Sequence, residues 1–130
     1  MKKILIISLV LFLTGCTVER PRPPLDLSKI NWELEAFLAQ QEAAVVYQAA
    51  ATASQNFVDG PCLSESLFGN SEYPETLWVL DIAHNPRTEV DNQPANQCSA
   101  SRDGKAQNYI ELDEQGQIIK VYSPFLQEAD

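Results

Sequence analysis

The sequence predicts an α+β fold in which one long N-terminal helix packs on a small antiparallel sheet of three to five strands, with one disulfide. Three observations support this prediction. Apolar residues recur at helical spacing over residues 29–57. Short β-branched and aromatic segments follow, with turn-forming residues between them. Cys62 and Cys98 form an even pair once the first of the three cysteines is set aside.

The predicted helix covers residues 29–57, and Ser28 or Asn31 is suited to cap its start. Its apolar side chains form one stripe that is interrupted by Gln41. A stripe of this width is typical of a helix that lies on a sheet or on another helix. The stripe consists of Ile30, Leu34, Phe37, Leu38, Val45, Ala49, Ala53 and Phe57.

The strands are predicted after residue 60. Leu77–Ile82 has the composition of a buried strand, whereas the prolines and asparagines of 83–96 predict a loop. Asp103-Gly104 predicts a two-residue hairpin turn. Strands at 109–112 and 117–122 would be joined by a four-residue turn that ends at a glycine, so the segments together predict an antiparallel meander.

The first 16 residues have the pattern of an export signal. Lys2 and Lys3 precede an apolar stretch at 4–13, which is shorter than the about 20 residues that a spanning helix needs. The run Leu-Thr-Gly-Cys at 13–16 closes the stretch. This leader resembles that of bacterial lipoproteins. The resemblance implies acylation of Cys16, removal of residues 1–15 and attachment of the mature chain to a membrane by lipid.

The same resemblance bears on localisation. Thr17 stands where an aspartate would signal retention in the inner membrane, which favours the outer membrane, facing the periplasm, in a Gram-negative cell. Otherwise the expected place is the outer face of the plasma membrane. The prolines at 21, 23 and 24 predict that 16–27 is an extended tether, with a docking peptide as the alternative. Residues 28–130 then form a single domain.

Charge excludes one class of partner. The chain has 18 acidic and 9 basic residues, and two of the basic residues but none of the acidic ones lie in the leader. Beyond the leader, 7 basic against 18 acidic residues give a net charge of −11. This charge repels phosphate backbones, so nucleic-acid binding is not expected.

A disulfide between Cys62 and Cys98 is the simplest interpretation in an oxidising compartment. A metal site would need more ligands than two thiols and the single histidine supply, and a redox pair usually has the Cys-x-x-Cys spacing. We therefore expect a structural disulfide and no metal or cofactor.

The order of elements also has an architectural likeness. One long helix followed by an antiparallel sheet, with Cys98 near a C-terminal strand, is similar to the head domain of type IV pilins and pseudopilins. This likeness implies a subunit of a surface appendage or a secretion system. The Leu-Thr-Gly-Cys run at 13–16 stands where those proteins have a prepilin cleavage site.

Candidate catalytic residues are sparse. His84 is the only histidine, and Asp81 with Ser64, Ser66 or Ser71 could complete a hydrolase triad with it. None of these serines has the Gly-x-Ser-x-Gly context of a nucleophile elbow.

Carboxylate chemistry is the other possibility considered. Glu72 and Glu75 could form a glycosidase pair, and Asp81, Asp91 and Asn92 could bind calcium. The spacing of a calcium loop is missing, and neighbouring acids are expected by chance in so acidic a chain. We therefore predict that the protein is not an enzyme.

The predicted loop between His84 and Cys98 is the candidate recognition element, because long loops on a rigid frame often carry binding residues. His84, Arg87 and Asp91 are its candidate partner-binding residues, and Arg87 could pair with Asp91 or Glu89. The predicted function is a lipid-anchored, non-catalytic binding or assembly protein of the cell envelope with a protein partner. The alternatives are a pilin-like subunit and a cell-wall or extracellular hydrolase.

Overall fold

The structure, a computed structural model, describes residues 23–71 and 73–126. Cys16, the leader and most of the predicted tether lie outside these residues. The described chain is α+β, as predicted. Its helices and strands are, in order, α1 (Trp32–Thr52), β1 (Cys62–Phe68), β2 (Leu77–Ile82), α2 (Ser99–Arg102), β3 (Asn108–Leu112) and β4 (Ile118–Tyr122), with 3₁₀ turns at Leu27–Lys29, Pro74–Thr76 and Val90–Asn92.

Helix α1 is shorter than predicted at both ends. Asn31 is its N-cap, since the side-chain oxygen accepts a hydrogen bond from the N–H of Leu34 at 3.0 Å, which confirms one of the two predicted caps. The helix ends at Thr52, and Ser54 then adopts a left-handed conformation with φ of 58°. A non-glycine residue in that region does not continue a right-handed helix.

The predicted buried stripe of α1 is wrong. Phe37 is 55% exposed and Val45 is 69% exposed. The helix instead buries the opposite side, which contains Trp32, Glu35, Ala36, Ala39 and Ala43. Large apolar side chains therefore point away from the sheet, and alanines point towards it.

The reason is a close approach between α1 and the sheet. A Cβ atom added at Gly69, just after β1, would lie 2.5 Å from the backbone oxygen of Glu35. Small residues on α1 permit this distance, and the sheet supplies the bulk through Leu67, Trp78 and Ile110, all fully buried. Bulk on the sheet and small side chains on the helix fill the core between them.

Within the described residues, the sheet has four strands in the order β1-β2-β3-β4. Strand β2 has the bounds that the sequence predicts and is buried along most of its length. The hairpin of β3 and β4 is also confirmed, and the turn between them places Gly116 at φ of 80°. Strands β1 and β2 are antiparallel as well.

The prediction of a purely antiparallel sheet is wrong, because β2 and β3 pair in parallel. A parallel pair needs a crossover of a dozen or more residues, and residues 83–107 form it here. Asp103-Gly104 is not a hairpin turn. It ends α2, and Gly104, at φ of 71°, donates its N–H to the Ser101 oxygen while Lys105 donates to that of Ala100. This is the Schellman ending of a helix, which favours the same Asp-Gly pair.

The disulfide between Cys62 and Cys98 is confirmed. It joins the first residue of β1 to the residue before α2, so it fastens the crossover to the sheet. Helix α1 covers one face of the sheet, and α2 packs near the other face through Ala100, beside Val79 and Cys98. The crossover and α2 leave part of this second face open.

Candidate functional site

The open part of the second sheet face carries a row of polar side chains. Asp81 on β2 is paired with Glu111 on β3, and Glu111 is paired with Lys120 on β4. Residues paired in this way project from the same face of a sheet. The register of three strands therefore brings two acids and one base together.

These side chains lie in a groove of about 450 Å³, here called the sheet groove. Its volume is within the range of small-molecule sites, roughly 300–1,000 Å³. Strands supply its floor, and the crossover and α2 supply its rim. The lining residues are Val79, Asp81, Arg87, Gln97, Cys98, Ser101, Arg102, Tyr109, Glu111 and Lys120.

Asp81 is the most unusual group in the sheet groove. The residue is only 8% exposed, and its Oδ1 atom is buried without a hydrogen-bond partner among the described residues. Burial and, to a smaller extent, the neighbouring Glu111 carboxylate raise the pKa of Asp81 to about 7, against the opposing effect of Arg87. A carboxyl group with this environment in a groove is a candidate binding residue.

Arg87 fastens the crossover to β3. Its guanidinium forms an ion pair with Glu111, its Nε donates to Asn92 Oδ1 at 3.0 Å, and Nη2 donates to the backbone oxygen of Asp91 at 3.4 Å. The sequence suggested Asp91 or Glu89 as the ion-pair partner. The structure gives Glu111, which lies far away in sequence, as that partner.

An aromatic pair adjoins the row of charges. The rings of Tyr109 and Tyr122 stack with centroids 5.0 Å apart, and the Lys120 ammonium lies 5.4 Å from the centroid of Tyr109. The hydrogen bond to Tyr109 raises the pKa of Lys120. This cation–aromatic contact keeps the ammonium at the groove.

The sheet groove is locally basic on an acidic protein. The described residues contain five basic side chains, those of Lys29, Arg87, Arg102, Lys105 and Lys120. Three of the five line the sheet groove, together with two acids. A charged group on a ligand would therefore meet both signs here.

Asp91 holds the candidate recognition loop in place. Its side chain is fully buried and accepts hydrogen bonds from the backbone N–H groups of His84 and Thr88, the Thr88 hydroxyl and the His84 ring, whose Nδ1 lies 2.8 Å away. Burial opposes ionisation, but these hydrogen bonds lower the pKa of Asp91 to about 2. The hydrogen bond to Asp91 in turn raises the pKa of His84.

Of the three predicted loop residues, Asp91 thus has a structural role. Arg87 lines the sheet groove, and His84 is half-buried with its Nε2 3.8 Å from Glu114. The exposed residues of the loop are 85–89 and 92–95. Asp81, which sequence analysis considered as a catalytic or calcium-binding acid, belongs to the sheet groove instead.

Two of the three candidate serines have hydroxyl contacts away from His84. The Ser64 hydroxyl donates to the backbone of Ser66, and that of Ser71 contacts Glu35 and Thr76. The hydroxyl nearest His84 is that of Thr88, and it donates to Asp91. This arrangement differs from a triad, in which the hydroxyl donates to the imidazole and the acid contacts the opposite ring nitrogen.

The other carboxylate candidates are also placed by the structure. Glu75 is exposed, whereas Glu72 lies outside the described residues. Within those residues, Cys62, Glu65 and Cys98 lie close enough to share a metal ion, but the disulfide occupies both sulfur atoms. Glu65 accepts hydrogen bonds from the N–H groups of Ser99 and Ala100 at the start of α2.

A second candidate surface lies on α1. Leu34, Phe37, Gln41, Val45 and Gln48 recur every three or four residues on the side opposite the sheet, and all are exposed. We call these five residues the outward helix face. None of them is charged, although about a fifth of the chain is.

No protein-family model, curated protein or solved structure matches the chain. In the described part of the chain, none of the helices is long and apolar enough to cross a membrane.

Sequence reasoning missed most of the sheet groove. Arg102, Tyr109, Glu111 and Lys120 were not singled out, because α2 and the parallel pairing of β2 with β3 were not foreseen. One signal was present in the alternation of Tyr109 and Glu111 with apolar Ile110 and Leu112. Such alternation marks a strand whose second face is polar.

Proposed function

We propose that the protein is an exported lipoprotein that is anchored through Cys16 and binds a protein partner of the cell envelope without catalysing a reaction. The leader at 1–16 supports export and anchoring. The disulfide fits the same proposal, because disulfides persist in oxidising compartments outside the cytoplasm. In a Gram-negative cell the domain faces the periplasm from the outer membrane.

The observation that carries the partner proposal is that α1 is apolar on two opposite sides. One side packs on the sheet, and the outward helix face exposes Leu34 (38%), Phe37 (55%) and Val45 (69%). A helix that is apolar on both sides is typical of one covered on both sides. Contiguous exposed apolar surface on a soluble domain marks an interaction site.

The charges beside this face indicate the chemistry of the partner. Glu33 and Glu42 lie on either flank of the outward helix face, and both are exposed. An apolar groove with lysines or arginines on its rim would complement such a helix. The partner is therefore expected to be a protein with a basic-rimmed apolar groove.

Site-specific crosslinking tests this proposal. A photoreactive residue replaces Phe37, Val45 or, as a control, Ile118 in the full-length protein expressed in cells. Ile118 is 54% exposed on β4, away from α1, so it matches Phe37 in exposure. Positions 37 and 45 should give the same protein adduct, and position 118 should not.

A charged variant adds a second readout. Phe37→Glu should abolish the adduct formed from position 45, whereas Ile118→Glu should leave it intact. Equal adducts from all three positions, or none from 37 and 45, would contradict the proposed interface. Melting curves of both variants check that the fold is retained.

Anchoring is tested separately. The mass of the protein purified from membranes should show loss of residues 1–15 and addition of lipid at Cys16. The Cys16→Ser variant should lose the lipid and leave the membrane fraction. An unmodified Met1 in a cytoplasmic fraction would rule out the lipoprotein assignment.

The pilin-like alternative makes a different prediction. Filaments visible by electron microscopy in purified material would favour it over a single-partner accessory role. The hydrolase alternative would require an activity that the His84→Ala variant loses.

A further inference from the structure

The sheet groove has the properties of a ligand site that is distinct from the outward helix face. The two surfaces lie on opposite sides of the molecule, because α1 covers one face of the sheet and the sheet groove opens on the other. A ligand in the sheet groove is therefore independent of the protein partner proposed above. The sheet groove is also large enough for a ligand bigger than a single small amino acid, at about 450 Å³.

The floor of the sheet groove presents an unused acceptor. Asp81 is 92% buried, at 8% exposure, and its Oδ1 makes no hydrogen bond within the described residues. A buried carboxylate oxygen without a donor is costly to the fold, so a ligand that donates to it gains that interaction at a site already desolvated. The first requirement on the ligand is thus a hydrogen-bond donor.

The charges around Asp81 indicate that the donor is cationic. Three acids act on it, Glu111 from β3, Asp91 from the crossover and Glu65 from β1, against one base, Arg87. Arg87 is itself engaged in its ion pair with Glu111. An ammonium group relieves this excess of negative charge, whereas a neutral hydroxyl does not.

The basic rim of the sheet groove favours a negatively charged group on the ligand. Arg102 at the end of α2 and Lys120 on β4 both line the sheet groove, and neither forms an ion pair with a carboxylate in the described residues. The Arg102 guanidinium donates to the backbone oxygen of Pro94, and Lys120 lies beside the Tyr109 ring. Both remain suited to a ligand carboxylate.

We propose that the sheet groove binds a small zwitterion with an α-ammonium and a carboxylate, either a free amino acid or a short peptide. Its ammonium contacts Asp81 on the floor, and its carboxylate contacts Arg102 and Lys120 at the rim. Val79, Tyr109 and the sulfur of Cys98 provide an apolar surface between the two ends.

Calorimetric titration of the purified full-length protein at pH 8 tests this proposal with four probes. L-Alanine and trialanine are the free amino acid and the short peptide. N-acetyl-trialanine lacks the ammonium, and trialanine amide lacks the carboxylate. At least one of the two zwitterions should bind with a one-to-one stoichiometry. The one that binds more tightly shows whether the ligand is a free amino acid or a short peptide.

Blocking either the ammonium or the carboxylate of the ligand should weaken its binding. If trialanine binds, its acetylated and amidated forms should each bind about tenfold more weakly or worse. If only L-alanine binds, N-acetyl-alanine and alanine amide replace them. Equal affinity for a blocked form, or no saturable heat from any probe up to about 10 mM, would overturn the proposal.

Variants connect the binding to the named residues. Asp81→Asn should weaken binding of the zwitterion about tenfold without changing the affinity for the acetylated form. Arg102→Gln should remove the preference for the free carboxylate over the amide. Glu75→Gln, a carboxylate-to-amide change at an exposed residue that does not line the sheet groove, is the matched control and should bind as the unmodified protein does.

An unchanged affinity in both Asp81→Asn and Arg102→Gln would also overturn the proposal. Should Asp81→Asn fail to fold, as judged by its melting curve, Arg102→Gln and the blocked probes still decide. The crosslinking adduct at position 37 is measured in a separate assay. Failure of the zwitterion to bind is therefore distinguishable from failure of the proposed partner interface.

Discussion

Asp81 and Asp91 are both buried carboxyl groups, and their surroundings shift their pKa values in opposite directions. Oδ1 of Asp81 has no hydrogen-bond partner among residues 23–71 and 73–126, and burial is the main cause that raises the pKa of Asp81 to about 7. Burial also opposes the ionisation of Asp91, but hydrogen bonds donated by His84 and Thr88 lower its pKa to about 2. Hydrogen bonding, not depth alone, decides which buried acid is ionised.

The raised pKa of Asp81 predicts that the stability of the fold decreases as the pH rises. Between the usual pKa near 3.8 and the folded value near 7, the folded state binds the proton that the unfolded state has lost. Ionisation of the buried Asp81 side chain lowers the free energy of unfolding. This destabilisation is therefore absent below about pH 4 and complete above about pH 7. Its full size is about 2–4 kcal/mol in the free energy of unfolding.

Asp81→Asn should remove this penalty. Denaturant unfolding of both proteins should give similar stabilities near pH 4, and the variant should become the more stable one as pH rises to 8. Glu33→Gln serves as the control, because it removes an exposed carboxylate. A stability difference that does not grow with pH would contradict the assignment of the shift to burial.

Asp91 predicts the opposite behaviour. Its pKa is lowered in the folded state, so its contribution is present above the usual value near 3.8 and is lost as pH falls to about 2. Asp91→Asn should destabilise the fold by about 2–3 kcal/mol at neutral pH, because the amide group would face N–H and O–H donors.

Thermal or denaturant unfolding at pH 7 measures this loss. Glu89→Gln is the control, since Glu89 is exposed in the same loop. Equal stability of the two variants would show that the hydrogen bonds to Asp91 do not hold the loop.

At the scale of the elements, α1 lies in close contact with the end of β1. The buried Glu35 side chain on α1 accepts hydrogen bonds from the N–H groups of Asn70 and Ser71. Gly69 lies directly against the helix backbone, as its lack of a Cβ permits. The chain after β1 is thereby fixed to the helix.

Two glycine substitutions separate crowding from backbone strain. Gly69→Ala should destabilise the fold by about 3 kcal/mol, because the new Cβ would lie 2.4–2.6 Å from three atoms of Glu35. Gly104→Ala should cost only about 1 kcal/mol, because Gly104 has a positive φ but no atom of the described residues lies within 4 Å of an added Cβ. Denaturant unfolding should rank the two in this order, and the reverse order would contradict the close approach.

At the scale of the whole molecule, the disulfide joins the parts that form the sheet groove. Cys62 begins β1, and Cys98 precedes α2 and lines the groove. The bridge spans 36 positions of sequence. It therefore restricts the conformations of the unfolded chain, and it also fastens the crossover over the second sheet face.

The Cys62→Ser/Cys98→Ser double variant should lose about 3–4 kcal/mol of stability, according to the chain-entropy account of disulfides. Its melting temperature should not respond to a reductant, whereas that of the unmodified protein should fall towards it. An unchanged melting temperature in the double variant would contradict a structural role for the bridge.

The sequence alone determined the features that depend on local chemistry and compartment. The Asn31 cap, the bounds of β2, the β3–β4 hairpin and the disulfide were predicted, and the structure confirms them. Caps and turns depend on a few neighbouring residues, so their signal is local. The lipid anchor at Cys16 remains a prediction from residues 1–16.

Only the tertiary structure decided which side of α1 is buried. Both sides carry apolar residues, and helical spacing alone predicts the side with Phe37 and Val45. The sheet instead contacts Ala36, Ala39 and Ala43, because Trp78 and Leu67 already fill the core from the other side. Helical spacing indicates which residues share a face of a helix, but it does not indicate the size of the side chains on the sheet that pack against that face.

The tertiary structure also decided the parallel pairing of β2 with β3, and with it the sheet groove. Asp103-Gly104 suits a hairpin and a helix ending equally well, since both need a residue with positive φ. The helix ending turns residues 83–107 into a crossover, which places Asp81 beside Glu111. Strand order depends on contacts between residues distant in sequence, and a local pattern does not specify them.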